Sequence, residues 1–223
     1  MSNYLVVGES QGLGYAIANA LHARGDNVVG LSRNPENKQA PWTRDHLDVS
    51  DLDAVEHWVS LYSEKSKDDP FAGVVMCHAK HGEKSGTQWN PDEWDSYFRT
   101  NCTSVVSLIR HLENWGCLSE QCSIVIFGSF LQNGSANQPA YAASKAALWA
   151  WMRSYTMAQS AQDSRSVNMI WPARVNTPSN PARDLPDSDP NFFREPENLA
   201  DETLRLLDDS LGRRGTTIDV GRN

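Results

Sequence analysis

Tyr141 and Lys145 stand four residues apart in the run Tyr141-Ala142-Ala143-Ser144-Lys145. On a helix that spacing puts a phenol and an ammonium one turn apart on the same face. A phenol with a pKa of about 10 exchanges protons poorly at neutral pH. A neighbouring ammonium stabilises the phenolate, each pKa unit being worth roughly 1.4 kcal/mol, and turns the pair into a usable acid and base. Ser129 precedes the tyrosine by twelve positions and follows Gly128 at the end of an apolar run. Its hydroxyl is expected to hold a substrate oxygen beside the phenol. The chemistry these groups fit is proton transfer to and from a carbonyl or alcohol oxygen.

A second set of residues points to a phosphate-bearing ligand. Gly8-Glu9-Ser10-Gln11-Gly12-Leu13-Gly14 has the spacing GxxxGxG and follows the first apolar strand. Glycines there allow a tight turn and close approach of backbone amides to a phosphate. The helix that follows supplies unpaired N–H groups and partial positive charge. At the end of the second strand stand Ser32 and Arg33, where an NAD-specific site usually carries a carboxylate for the ribose 2′-hydroxyl. A guanidinium pairs instead with a 2′-phosphate, so NADP(H) is expected over NAD(H), although Gln11 adds no base to strengthen the preference. Asp48 is expected either to accept from an adenine amino group or to cap the next helix.

The elements that must position these groups alternate along the chain. Strands are expected at Tyr4–Val7, Val28–Leu31, around Leu47 ending in Asp48, and at Gly73–Cys77, Ser123–Phe127, Val167–Ile170 and Thr216–Val220. Between them lie helical patterns. Leu13, Ile17 and Leu21 mark the first, and Leu52, Val55, Val59 and Tyr62, capped by Ser50 or Asp51, the second. Val105, Leu108, Ile109 and Leu112 form the third. The others are Pro139 to about Ser160 and Pro196 to Asp208. Strand–helix alternation with short links implies an α/β, Rossmann-type doubly wound sheet of about seven mostly parallel strands, helices on both faces. Residues 1–223 read as a single domain, and the irregular stretch 176–194 as a substrate-binding loop.

With these motifs in register, the chain resembles the short-chain dehydrogenase/reductase family over nearly its full length. The resemblance implies that Tyr141 is the general acid/base and Ser129 orients the carbonyl. It implies that Lys145 lowers the tyrosine pKa and binds the nicotinamide ribose. Asn101, read as opening the helix of Val105 and Leu108, matches the asparagine that supports a water-mediated relay to that lysine. The cofactor is expected to lie against Gly8, Ser10, Gln11, Gly12, Leu13, Gly14, Ser32, Arg33, Asp48, Val49 and Ala79. Tyr141, Lys145, Pro172, Ala173, Val175 and Thr177 complete that surface.

Two segments depart from the family pattern. Where it has Asn-Asn-Ala-Gly, this chain has Cys77-His78-Ala79-Lys80, and its Pro-Gly becomes Pro172-Ala173, followed by Arg174. Lys80, His81 and Arg174 fall on loops at the carboxyl ends of strands and are expected to select an anionic substrate, with Ser129 and Phe130 completing the pocket. Phe192 and Phe193 offer further apolar wall, and Trp149 and Trp151 are expected as interface anchors or core packing.

Bulk properties narrow the alternatives. The net charge of −8 disfavours nucleic acid and anionic membrane. No apolar run approaches a membrane span and no basic, then apolar, leader opens the chain. Four cysteines without paired spacing, and no clustered histidines, argue against disulfides and a metal site, so a cytoplasmic protein is expected. The expected partners are a small-molecule substrate and further copies of the chain, as a homodimer or homotetramer. Two other readings fit the same residues: a non-redox epimerase or dehydratase of this fold, and a non-catalytic NADP(H)-binding sensor.

Overall fold

A computed structural model describes residues 1–34, 39–65, 67, 69–82, 90–160, 162–172, 174–178, 193–208 and 212–220. Seven strands form one parallel sheet: β1 (Asn3–Val7), β2 (Asn27–Ser32), β3 (Thr43–His46), β4 (Phe71–Met76), β5 (Leu118–Phe127), β6 (Ser166–Pro172) and β9 (Thr217–Val220). Their order is β3-β2-β1-β4-β5-β6-β9, every neighbouring pair parallel. A two-strand ladder, β7 (Arg174–Val175) with β8 (Phe193–Arg194), stands outside the sheet.

β1 shows why the sheet is covered twice. All five of its residues are buried, with Tyr4 and Val6 facing one core and Leu5 and Val7 the other. Side chains alternate across a strand, so both faces need helices. α1 (Gly12–Ala23) and α6 (Pro196–Leu207) pack together on the first face, contributing Ile17, Leu21, Leu199 and Leu206. α2 (Leu52–Lys65), α4 (Ser104–Asn114) and α5 (Pro139–Ala158) cover the second through Val55, Val59, Leu108, Leu112, Leu148 and Met152. The strand order reverses between β1 and β4. That is where the carboxyl ends of an open parallel sheet leave a crevice.

The sequence reading needs correction at two places. The third strand is Thr43–His46, not a segment around Leu47. It is an edge strand with no aliphatic residue, held by β2 on one side and by polar side chains, and Leu47 and Val49 are buried just beyond it. The second correction concerns Asn101, which does not open a helix. α3 (Pro91–Phe98) already begins at Asn90, whose side chain accepts from the Asp92 amide. The helical path continues through a wide π turn, Arg99–Thr103, into α4. Such turns inside helices often occur at functional sites.

The second face includes Phe71, which is fully buried at the start of β4 and stacks on Tyr62 with ring centroids 4.7 Å apart. Phe71→Ala is expected to lower unfolding free energy by about 3–5 kcal/mol, measured by denaturant titration. A loss under about 1 kcal/mol would mean that the site collapses around the missing ring.

Candidate active site

The carboxyl ends of β1, β2, β4, β5 and β6 open onto one cleft of about 1060 Å³. At one end its wall carries Ser32, Arg33, Asp48 and Val49; at the other, Ser129, Tyr141, Lys145, Pro172, Val175 and Thr177. Gly8, Ser10, Gln11, Gly12, Leu13, Gly14 and Ala79 lie between, and Lys80, His81, Phe130 and Arg174 line the same cleft. The cleft wall therefore brings together every site residue expected from sequence except Asn101, which is fully buried and not part of the wall, and Ala173, which lies outside the described residues, as do Phe192 and the side chain of Phe193.

The glycine loop fits an extended phosphate ligand. Gly8 has φ +87°, and a Cβ there would lie 2.8 Å from the His78 amide nitrogen. Any side chain would push the turn off the neighbouring loop. Gln11 sits at the N-cap of α1 without a side-chain cap, so the first turn keeps its amides for another partner. On the far wall, Asp48 accepts from the Ser50 amide at 3.0 Å and hydroxyl at 2.7 Å. Burial works to raise the Asp48 pKa, but these hydrogen bonds and the charge of Arg33 bring it below its ordinary value. The helix cap is Asp51, which accepts from Ala54, and Asp48 is left facing the cleft.

The catalytic end is built on α5. Ser129 is buried and its oxygen accepts from the Leu131 amide at 3.2 Å, which fixes the side chain at the mouth of the cleft. Lys145 is buried and donates to the Phe127 carbonyl at 2.7 Å, with its nitrogen 5.9 Å from the Tyr141 ring centre. Burial pulls the Lys145 pKa down to about 8, so the amine is still mostly protonated at neutral pH. The expectation that this ammonium lowers the phenol is not met in the structure. Burial raises the Tyr141 pKa above its ordinary value, and the hydrogen bond with Ser129 only partly offsets it. The lysine charge is spent on a carbonyl rather than aimed at the phenol.

Asn101 is fully buried, and its carboxamide joins three segments. Its oxygen accepts from the Lys80 amide at 2.7 Å; its nitrogen donates to the Lys80 carbonyl at 2.9 Å and to Ser144 Oγ at 3.0 Å. Ser144 in turn donates to the Tyr141 carbonyl at 2.8 Å. Lys80, in the family's glycine position, has no positive φ. Its ammonium bonds to Ser96 Oγ and lies 5.0 Å from the Tyr97 ring centre, so it is engaged with α3.

Two groups without a role in the sequence reading lie here, Glu9 buried and His78 half-buried. Glu9 has no exposed surface; Oε1 accepts from Ser32 Oγ at 3.1 Å, and Oε2 from Trp42 Nε1 at 3.3 Å and Arg44 Nε at 3.0 Å. A Cβ on residue 30 would lie 2.3 Å from Glu9 Cγ, so Gly30 makes the room. A carboxylate inside a phosphate-binding loop was the signal for it. His78 is the other. Its Nε2 lies 3.1 Å from the Thr100 carbonyl and 2.8 Å from Ser104 Oγ. A carbonyl only accepts, so Nε2 carries the proton, and Nδ1 is a buried acceptor without a hydrogen bond.

The comparisons with known proteins agree with this geometry. A family model described as enoyl-(acyl carrier protein) reductase matches residues 7–200. This chain belongs to the short-chain dehydrogenase/reductase family. It is 28% identical to the 3-oxoacyl-[acyl-carrier-protein] reductase FabG of Vibrio cholerae, over 78% of this chain and 73% of that one. It is also 28% identical to an NADPH-dependent pterin aldehyde reductase of Arabidopsis thaliana, covering 78% and 74%. A short-chain dehydrogenase of Burkholderia cenocepacia, solved with NADP, shares the fold at TM-score 0.86 and 24% identity, covering 99% and 96%. An aldohexose dehydrogenase of Thermoplasma acidophilum does so at 0.84 and 20%, covering 98% and 92%. As a member, the chain is a nicotinamide-dependent oxidoreductase by family. Among the described residues no helix is long and apolar enough to cross a membrane.

His78 gives this site a pH signature. Burial, with the nearby Lys145 charge, lowers its pKa from 6.5 to about 4. The unfolded chain then binds the extra proton first as pH falls. The contribution is complete above pH 6.5 and is lost between 6.5 and about 4. Its size is on the order of 3 kcal/mol. In His78→Asn the slope of stability against pH in that window is expected to flatten, measured by denaturant titration at several pH values. An unchanged slope would remove His78 as its source.

Proposed function

We propose that this chain is an NADP(H)-preferring enzyme that interconverts a carbonyl and an alcohol on a small, anionic substrate. Asn101, Ser129, Tyr141 and Lys145 form its catalytic set. The observation that carries the reading is that Ser129, Tyr141 and Lys145 line the same cleft as Arg33 and the glycine loop.

When bound, the dinucleotide supplies the hydride for reduction and takes it up for oxidation. The protein's own groups handle the proton. Ser129 holds the substrate oxygen beside the phenol, and Tyr141 gives that oxygen its proton as the carbonyl carbon gains hydride, so C=O becomes CH–OH. The reverse oxidation returns the proton to Tyr141. Lys145, protonated at neutral pH, holds the ribose hydroxyls and restores the tyrosine proton. Both amide hydrogens of Asn101 are committed to Lys80 and Ser144. The carboxamide therefore holds the catalytic helix against the β4 loop, the frame on which Asn101 is proposed to support a water-mediated relay to Lys145.

Arg33, exposed at the edge of the cleft, supports NADP(H), because a guanidinium pairs with a 2′-phosphate. Arg174 and His81 support an anionic substrate, and Lys80 lends its charge from its place on Ser96. Segment 176–194, most of which lies outside the described residues, is proposed to be a substrate-binding loop. The enzyme is proposed to be cytoplasmic and to self-associate as a dimer or tetramer through α5, where Trp151, Tyr155 and the 76% exposed Met157 lie.

Fluorescence titration with NADPH and NADH tests the cofactor reading. At least about tenfold tighter binding of NADPH is expected, and Arg33→Asp is expected to remove that margin. Binding of neither nucleotide would overturn the reading. Among anionic carbonyls turned over, Arg174→Met is expected to raise KM with little change in kcat. An unchanged KM would take Arg174 out of substrate binding.

A further inference from the structure

Glu9 lies beneath the end of the cleft where Ser32 and Arg33 stand, and is not itself part of the cleft wall. Its contacts decide which way a hydroxyl points. A serine has one hydrogen to donate. Oε1 of Glu9 can only accept, so the Ser32 hydroxyl hydrogen is directed inward to it at 3.1 Å. Ser32 lines the cleft, and what it then offers outward is lone pairs.

We propose that Glu9 is a positioning residue for cofactor choice: it takes the Ser32 proton into the interior and leaves an acceptor facing the ribose 2′ position. This rests on the dinucleotide reading above. A ribose 2′-hydroxyl can donate to that acceptor. A 2′-phosphate, all acceptors at neutral pH apart from a minor protonated fraction, cannot. Arg33 attracts the phosphate while Glu9, acting through Ser32, works against it. The two opposed influences keep NADH a competent ligand beside NADPH.

The rest of the cluster holds Glu9 in that role. Arg44 on the edge strand pairs with Oε2 at 2.9 Å, which neutralises the buried charge. Trp42 donates to the same oxygen, so Oε1 is left for Ser32. Gly30, beside Arg44 in the β2–β3 register, leaves the passage through which the side chain reaches them.

Glu9→Gln tests this without changing size. Trp42 and Arg44 both donate, so they retain the amide oxygen. The amide nitrogen then faces Ser32 and donates to it, and the serine hydrogen is turned out to the cleft. The ratio of NADPH to NADH affinity, read from dissociation constants in fluorescence titration, is expected to rise about tenfold. In the Ser32→Ala background, Glu9→Gln is expected to add no further rise, because its effect runs through the hydroxyl. Ser32→Ala alone is expected to weaken NADH and leave NADPH nearly unchanged. It decides the matter if Glu9→Gln unfolds with Arg44 left uncompensated.

An unchanged ratio in Glu9→Gln, or a further gain in the double variant over Ser32→Ala, would overturn the role of Glu9 alone. So would a loss of NADPH rather than NADH affinity in Ser32→Ala. Failure of the unaltered protein to bind either nucleotide would overturn the dinucleotide reading as well.

Discussion

The Asn101 carboxamide is the constraint on which the cleft depends. One buried side chain holds both backbone polar groups of Lys80 and the hydroxyl of Ser144, and through Ser144 it reaches the Tyr141 carbonyl. The loop after β4 is thereby fixed to the helix that carries the phenol. That loop also abuts the first glycine turn, where His78 approaches Gly8. The glycine loop, the β4 loop and α5 thus share one chain of short contacts. The π turn is what places Asn101 there. It widens the helical path between α3 and α4 and turns the carboxamide into the interior rather than leaving it at a helix start. A buried amide with its donors unpaired would be costly, so the three segments are fixed together or not at all.

Around this frame, burial sets the protonation states. It lowers Lys145 to about 8, raises the phenol of Tyr141 and pushes up the thiol of Cys77. The result is a low-dielectric floor with one positive group, directed at the Phe127 carbonyl. A phenol held above its ordinary pKa is a reluctant proton donor. In the proposed oxidation, where Tyr141 takes up a proton, positive charge entering the cleft, as the ring of an oxidised nicotinamide would bring, favours the phenolate. At the adenosine end the same economy appears in a different form, with the buried Glu9 neutralised by Arg44 beneath Ser32.

The parts of this arrangement that were legible in the sequence are those set by spacing along one element. Tyr141 and Lys145 share a helix, and the glycines share a turn, so local periodicity was enough. The parallel sheet of about seven strands followed from alternating patterns and short links. What escaped depends on partners far apart in the chain. β3 was misplaced because its polar residues are held by tertiary contacts, Arg44 to Glu9 and Trp58 to Asp45, and carry no apolar alternation. Asn101 was misread because a π turn leaves no mark in a period of 3.6. The Asn90-Pro91 cap with Asp92 and Glu93 behind it did announce an earlier helix start. The inward direction of the Lys145 nitrogen could not be read from its register with Tyr141, since that register fixes a face and not a hydrogen-bond partner.

The claim that Tyr141 is the proton carrier of a dinucleotide enzyme is tested most directly by ultraviolet difference titration of tyrosine ionisation. The protein is compared with Tyr141→Phe, each with and without saturating NADP⁺. One tyrosine signal should be missing from the variant. In the unaltered protein it should titrate above the ordinary tyrosine range alone and at distinctly lower pH with NADP⁺. A Tyr141 signal that does not move when NADP⁺ binds would contradict the account.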